Sequence, residues 1–473
     1  MPELEETDHA LDEPVAAIIL AAGKSTRMHS SLPKPLHPVC GLPMTDHVIR
    51  SCRAAGVERT IVVVGHESEQ VQEGLQSHPE YCLQQTPLGT GDAVRSAYSQ
   101  LHEWPHTILV LAGDTPLILP DTLRSLIALQ QNRKSDAAIL TMFLKNPRGY
   151  GRVIRDENGR ALRIVEEKDA DSVQKSIEEC NPSIYAFHGP TLWALLDNIR
   201  PNNAQGEYYL TDVIGQLASL GKMVETFTMT DPDESLGVNT RVELALVTSI
   251  MRKRLLENLM LSGVTMTDPS SVYIDVDVTV GQDSVIEPQT YLLQGTHAGR
   301  ECRIGPCSRI ERSHLGNKVE VKASWVTDSI LADGAKVGPF SQLRPGSVLG
   351  EGAKVGNFVE LKNTRMGAGS QASHLSYLGD AHIGERANIG AGTITCNYDG
   401  FVKHQTNIGH DAFIGSQSTL VAPIHIGAGA FIAAASVITR DVPEDAMAIA
   451  RAEEIIKEGW AAAYRMRREG NRD

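Results

Sequence analysis

The chain has little that would tie it to a membrane, a nucleic acid or an oxidising compartment. No apolar run in its 473 residues approaches the ~20 needed to span a bilayer. The net charge of −14 is relieved by no basic stripe, which argues against nucleic acid as a partner. Cysteine is sparse. The seven residues Cys40, Cys52, Cys82, Cys180, Cys302, Cys307 and Cys396 are odd in number and scattered, with no CxxC or other metal spacing, as expected of a protein in a reducing, cytoplasmic setting. Residues 1–14 are acidic and contain no hydrophobic segment, so they read as a disordered leader and not as a signal peptide. The length predicts two or three domains with substantial cores.

What is present falls into two grammars. Across residues 337–438 an aliphatic residue, usually followed by Gly, recurs every six positions: Val337, Leu343, Leu349, Val355 and Leu361 keep step. Short units reset the frame at Met366 and Ile383, and Ile408, Ile414, Leu420, Ile426, Ile432 and Ile438 resume it after an interruption. A period of six matches neither a helix nor a two-faced strand. It is the signature of a parallel β-helix in which each hexad is one short strand plus a turn, and such prisms are the left-handed exception to right-handed crossovers. A looser version over residues 273–331 predicts that the prism begins near Val264. Upstream, residues 15–21, 60–64 and 107–112 are continuous apolar runs separated by helical spacing, which predicts a doubly wound α/β sheet binding ligands at the carboxyl ends of its strands. The expected division is a domain at 15–239, a linker helix at 240–263, the β-helix at 264–451 and a charged tail at 452–473.

Several segments carry chemistry. Leu20-Ala21-Ala22-Gly23-Lys24-Ser25-Thr26-Arg27 follows the first strand and leads to Lys34, placing a glycine loop and two cations where phosphate oxygens would lie. It is no P-loop, since GxxxxGK[ST] would need Gly where Ile18 stands. Gln84 with Leu88-Gly89-Thr90-Gly91 suits a base or ribose held on a turn. Asp114, at the end of a buried strand, is a natural Mg²⁺ ligand, with a helix N-cap as the plainer alternative. In the prism, Arg344, Lys362, His374, Tyr377 and Asn388 interrupt the apolar rhythm on neighbouring coils. The cations suit a sugar phosphate, and His374 can take a proton from an attacking amine. Residues 395–405 break the period, and inserts of that kind leave a solenoid as loops that commonly build sites.

The LAAGxxTRM and LxKP segments resemble the nucleotidyltransferases that activate sugar 1-phosphates. Together with Gly149-Tyr150-Gly151-Arg152, Val165-Glu166-Glu167-Lys168, Gln205-Gly206-Glu207-Tyr208-Tyr209-Leu210-Thr211 and Gly237-Val238-Asn239, they are similar to the bacterial bifunctional N-acetylglucosamine-1-phosphate uridylyltransferase/glucosamine-1-phosphate N-acetyltransferase family over about residues 15–460. The resemblance implies a homotrimer in the cytoplasm, with Mg²⁺ as cofactor and UTP, acetyl-CoA and sugar phosphates as substrates. Leu20, Ala21, Gly23, Gln84, Gly89 and Thr90 would bind UTP, with Arg27 and Lys34 acting on its phosphates. Gly151, Glu166, Asn181 and Thr211 would hold N-acetylglucosamine 1-phosphate, and Asp114 and Asn239 the metal. His374 would be the general base of acetyl transfer, with Arg344, Lys362, Tyr377 and Asn388 on the sugar phosphate and Lys403 reaching it from a neighbouring chain. Ala391, Asn397, Tyr398, Ser416, Ala434 and Arg451 would take acetyl-CoA. Departures from the family pattern include Pro87 for a frequent Gln, Asp92 for a frequent His and Ala435 for a usual Gly. Two alternatives compete: a single-activity nucleotide-sugar pyrophosphorylase whose prism only assembles or regulates, and a non-enzymatic assembly protein.

Overall fold

A computed structural model describes residues 11, 13–23, 26–65, 67–104 and 106–469. The leader 1–10, Lys24, Ser25 and the last four residues of the tail lie outside the described residues. The chain divides into two compact units between Arg254 and Leu255, and the helix Arg241–Leu261 carries it across that boundary.

In the first unit the apolar runs become the strands Val15–Leu20, Arg59–Val64 and Thr107–Ala112, which pair in parallel toward one side of a ten-stranded sheet. Because successive side chains alternate across a strand, Ala16 and Ile18 enter one core while Val15, Ala17 and Ile19 enter the other. The helices Met44–Ala54 and Pro120–Arg133 cover the second of these faces. Thr90–Ser96, Gly189–Leu196 and Asp212–Ser219 cover the first. The sheet is mixed rather than wholly parallel. Tyr185–His188 runs antiparallel to both Thr107–Ala112 and Ala137–Phe143, a pairing between distant segments that no local pattern announces.

The second unit is a left-handed parallel β-helix whose short strands stack into sheets of 11, 10 and 9 strands. Its aliphatic residues form one continuous core from Leu256 to Val442, in which Leu361, Leu378, Ile414 and Leu420 are each fully buried. Register runs coil to coil, Leu343 beside Leu361 and Leu361 beside Leu378. A second ladder is built of buried Ser and Thr at the corners: Thr364 Oγ1, for example, lies 2.8 Å from the Leu378 carbonyl of the next coil. Satisfying these hydroxyls internally lets small polar residues occupy corners that are closed to water.

Leu361→Ala in the full-length protein should lower unfolding free energy by ~2–5 kcal/mol, because the closely packed coil leaves a cavity. Lys336→Ala, which removes an exposed ion pair to Glu320, should cost less than about 1 kcal/mol. Urea denaturation measures both, and equal effects would contradict the account of the core.

Candidate active sites

The carboxyl ends of Val15–Leu20 and Thr107–Ala112 lie side by side because the two strands are in register from Val15/Thr107 to Leu20/Ala112. Residues immediately beyond them line a cavity of about 660 Å³. Leu20, Ala21, Gly23, Arg27 and Lys34 lie on its wall together with Asp114 and Asn239. The Lys34 ammonium bonds the Asp114 carboxylate and, at 2.8 Å, the Asn239 side-chain oxygen. Arg27 Nη2 donates to that same Asn239 oxygen at 2.9 Å. Two protein oxygens therefore converge on one cationic point, with a guanidinium beside it. Asn239 is held in place by Glu243, which accepts its backbone N–H at 2.8 Å.

Gln84, Gly89 and Thr90 form another wall of the cavity. Gly89 has φ 120°, and a Cβ there would fall 2.6 Å from the Tyr208 carbonyl oxygen, so only glycine lets the 84–92 turn pack against the 207–211 segment. Thr90 Oγ1 accepts the Leu210 N–H at 3.0 Å and closes that contact. Glu166 and Thr211 line the cavity as a bonded pair, the Thr211 hydroxyl donating to Glu166 Oε1 at 3.1 Å. Burial pushes the Glu166 carboxyl above the ordinary carboxylate range, the Thr211 hydroxyl opposes the shift, and the nearby carboxylates of Asp169, Asp212 and Glu207 add to it.

Gly151 and Asn181 are not on the cavity wall. Asn181 is buried behind it, accepting from the Tyr185 hydroxyl at 2.6 Å and from the Ser183 N–H at 3.1 Å. A Cβ on Gly151 would come within 3.7 Å of the Glu166 carboxylate. Both shape the pocket from outside. Ser183, Tyr185, Gln205 and Tyr209 do line it; Tyr185 carries no local sequence signal, whereas Gln205 and Tyr209 belong to a quoted motif and are tied to each other at 2.7 Å.

On the prism, Asn357 pairs with His374 on neighbouring coils, and Nδ1 of the imidazole lies 2.5 Å from the Asn357 side-chain oxygen. An amide oxygen only accepts, so Nδ1 carries the hydrogen and the Nε2 lone pair is left for chemistry. Past the next corner, Arg344, Lys362 and Gly379 align on three successive coils. Gly379 is needed there: a Cβ would sit 2.5 Å from the Tyr377 hydroxyl and 2.8 Å from Asn397 Nδ2. Arg344 is paired with Glu360 at 2.9 Å. Asn388 stacks one coil above Gln371 on the strand that leads to His374.

Lys403, expected to reach the sugar phosphate from a neighbouring chain, lies on the insert. The insert folds as a hairpin through the Tyr398/Lys403 bridge and brings Lys403 against Lys362 of its own chain. The Lys362 ammonium holds the Lys403 pKa below the ordinary lysine value, with Asp380 and Tyr377 acting in the opposite sense. Two ammonium groups side by side at a surface mark a place for an anion. Asn397, whose amide donates to Asp380 at 2.5 Å, is buried, whereas Tyr398 is exposed on the hairpin.

Ala391, Ser416 and Ala434 climb one corner of the prism on successive coils. The rungs are joined by the Gln417 N–H to the Ala391 oxygen at 2.7 Å and the Ala435 N–H to the Ser416 oxygen at 2.8 Å. Ala435 adopts φ 59°, a left-handed conformation that suits the glycine usual in the resemblance. Arg451 is exposed just beyond the last strand, Met447–Ala448.

A mixed α/β sheet with a cation-lined cavity at its strand ends, followed by a hexapeptide prism, defines a nucleotidyltransferase-type enzyme with a second candidate site on its β-helix. Comparisons with known proteins agree. Residues 17–172 match the MobA-like NTP transferase domain, and residues 269–368 match a model described as the GMPPB C-terminal domain. A bifunctional protein GlmU from Exiguobacterium sp. is 48% identical over 94% of this chain and 98% of its own length. The GlmU proteins of Heliobacterium modesticaldum and Clostridioides difficile are 48% and 46% identical over 94% of the chain, covering 97% and 96% of theirs. The chain belongs to the bifunctional GlmU family.

The raised Glu166 pKa has a definite sign for stability. The unfolded carboxyl ionises first, so the first unit loses stability as pH rises from the ordinary glutamate pKa to the higher folded value. Glu166→Gln should therefore gain stability over wild type at neutral pH and none at low pH, as read from thermal unfolding across a pH series. A gain confined to acid would contradict the burial of an ionised group.

Proposed function

We propose that the chain makes UDP-N-acetylglucosamine in two steps at two separate sites. The prism transfers acetyl from acetyl-CoA to glucosamine 1-phosphate, and the first unit then transfers UMP from UTP to the N-acetylglucosamine 1-phosphate formed. The observation that carries this reading is that each unit builds its own cation-lined site with a charge-bearing partner set: Arg27, Lys34, Asp114 and Asn239 in one, His374 with Arg344, Lys362 and Lys403 in the other.

In acetyl transfer the amine nitrogen attacks the thioester carbonyl as His374 Nε2 accepts its proton, the C–S bond breaks, and CoA leaves as the thiol. Asn357 keeps the imidazole in the base tautomer. Arg344, Lys362 and Lys403 hold the phosphate, with Tyr377 and Asn388 beside the sugar, and the Ala391, Ser416 and Ala434 corner receives acetyl-CoA along with Asn397, Tyr398 and Arg451. In UMP transfer a phosphate oxygen of the sugar attacks the α-phosphorus of UTP in line, and the bond to the β-phosphate oxygen breaks to release pyrophosphate. Arg27 and Lys34 stabilise the charge that develops, while Gln84, Gly89 and Thr90 hold the base and ribose, and Glu166 and Thr211 the sugar. The paired oxygens of Asp114 and Asn239 fit Mg²⁺, which prefers a few hard protein oxygens completed by substrate phosphates. When bound, the ion supplies Lewis-acid stabilisation of the phosphates. The 15–239 and 264–451 segments are the two catalytic domains in this reading.

The assembly is a homotrimer in the cytoplasm. Exposed Ile455, Ile456 and Trp460 beyond the last coil support association with further copies, all seven cysteines are free thiols, and no described helix is long and apolar enough to cross a membrane.

Because the two sets share no residue, mutation should separate the activities. His374→Ala should lower acetyl transfer by ~10²–10⁴, the usual range for losing a general base, with UMP transfer near wild type. Asp114→Ala should do the reverse. Measuring CoA and pyrophosphate release in the same folded preparations tests this, and parallel loss of both rates in either variant overturns the two-site reading.

A further inference from the structure

Gln84 is buried, and both hydrogens of its side-chain amide are directed at acceptors, Asp92 Oδ2 at 2.8 Å and the Gly89 carbonyl at 3.3 Å. A carboxylate and a carbonyl do not donate, so the Nε2 end is fixed toward them and Oε1 is turned the other way. Among the described residues Oε1 meets no donor, and it is not one of the atoms sealed from solvent without a partner. Gln84 lines the cavity, so this acceptor is presented to it.

Asp92 is itself held in orientation. Its Oδ1 accepts from Arg95 Nη2 at 3.2 Å, and the Arg95 guanidinium lies 4.9 Å from the centre of the Tyr208 ring. Tyr208 is stitched to the same turn, its N–H donating to the Leu88 oxygen at 2.8 Å and its carbonyl accepting the Gly91 N–H at 2.7 Å. Rotating Asp92 away from Gln84 would break into this closed set. Pro87, also on the wall, offers no side-chain donor or acceptor of its own.

We propose that Asp92 is a specificity-determining positioning residue: by fixing the Gln84 amide it presents a single acceptor that selects a base bearing an imide N–H, uracil, over cytosine. At the corresponding ring nitrogen cytosine is an acceptor, so it offers the Gln84 oxygen no hydrogen and the two acceptors face each other unpaired. Without the Asp92 carboxylate the Gln84 amide can turn and offer its NH₂ to cytosine. The inference deepens the UMP-transfer reading and rests on it.

The test uses the full-length enzyme and kcat/KM with UTP, CTP and the triphosphate of N3-methyluridine, which lacks the imide hydrogen. Wild type should prefer UTP to both. Asp92→Leu, which keeps the branched outline and removes the acceptor, should narrow the UTP-to-CTP ratio by at least about tenfold. Asp92→Asn, which keeps one oxygen for Gln84, should recover most of it. A wild type that uses the N3-methyl substrate as well as UTP overturns the inference whether or not the variants fold, and so does an unchanged ratio in a folded Asp92→Leu. Either result leaves UMP transfer standing; a wild type with no nucleotidyl transfer from any of the three overturns both.

Discussion

Parallel strand pairing, locked in register by buried aliphatic side chains, is the constraint on which both sites depend. In the first unit it sets Leu20 level with Ala112, so the loops that follow them open at the same height and Lys34 can meet Asp114 and Asn239. In the second it sets Leu343 level with Leu361 and Leu378, which brings Arg344, Lys362 and the Tyr377 hydroxyl over Gly379 into one column. In the prism, a slip of one residue would turn these polar groups into the core and the aliphatic residues out to solvent. The cost of that exchange, repeated over many coils, holds the sites more firmly than their own hydrogen bonds do.

The polar groups then act in pairs. His374 has its tautomer set by Asn357, Gln84 its flip set by Asp92, and Glu166 its charge balanced between burial and Thr211. Each of these groups thus has a polar partner that fixes its orientation or opposes its shift in charge, one coil away for His374 and on a different element for Gln84 and Glu166. Lys362 and Lys403 are the exception: the two ammonium groups repel each other, and the Asp380 carboxylate acts on both in the opposite sense.

The repeating half was legible in the sequence because its physics is periodic. A core position every six residues is a local signal, and residues such as Leu361 and Ile414 could be placed inward without knowing any long-range contact. The strand cores at 15–20 and 107–112 were readable for a similar reason, as continuous apolar runs. The antiparallel entry of Tyr185–His188 was not, because pairing between strands more than 70 residues apart leaves no local mark. Tyr185 was not legible for the same reason. The hairpin that brings Lys403 beside Lys362 was not legible, since a break in a period locates an insert and says nothing about its fold. Asp92 was visible only as a departure from a family pattern, its role resting on which end of an amide faces it.

The most direct measurement supplies the full-length enzyme with one substrate pair at a time. With acetyl-CoA and glucosamine 1-phosphate alone, and no nucleotide, free CoA thiol should appear. With UTP and N-acetylglucosamine 1-phosphate alone, and no acetyl-CoA, pyrophosphate should appear. Independent turnover of both pairs is what two self-contained sites predict; failure of either pair to react, or a requirement for the other pair's substrates, would contradict it.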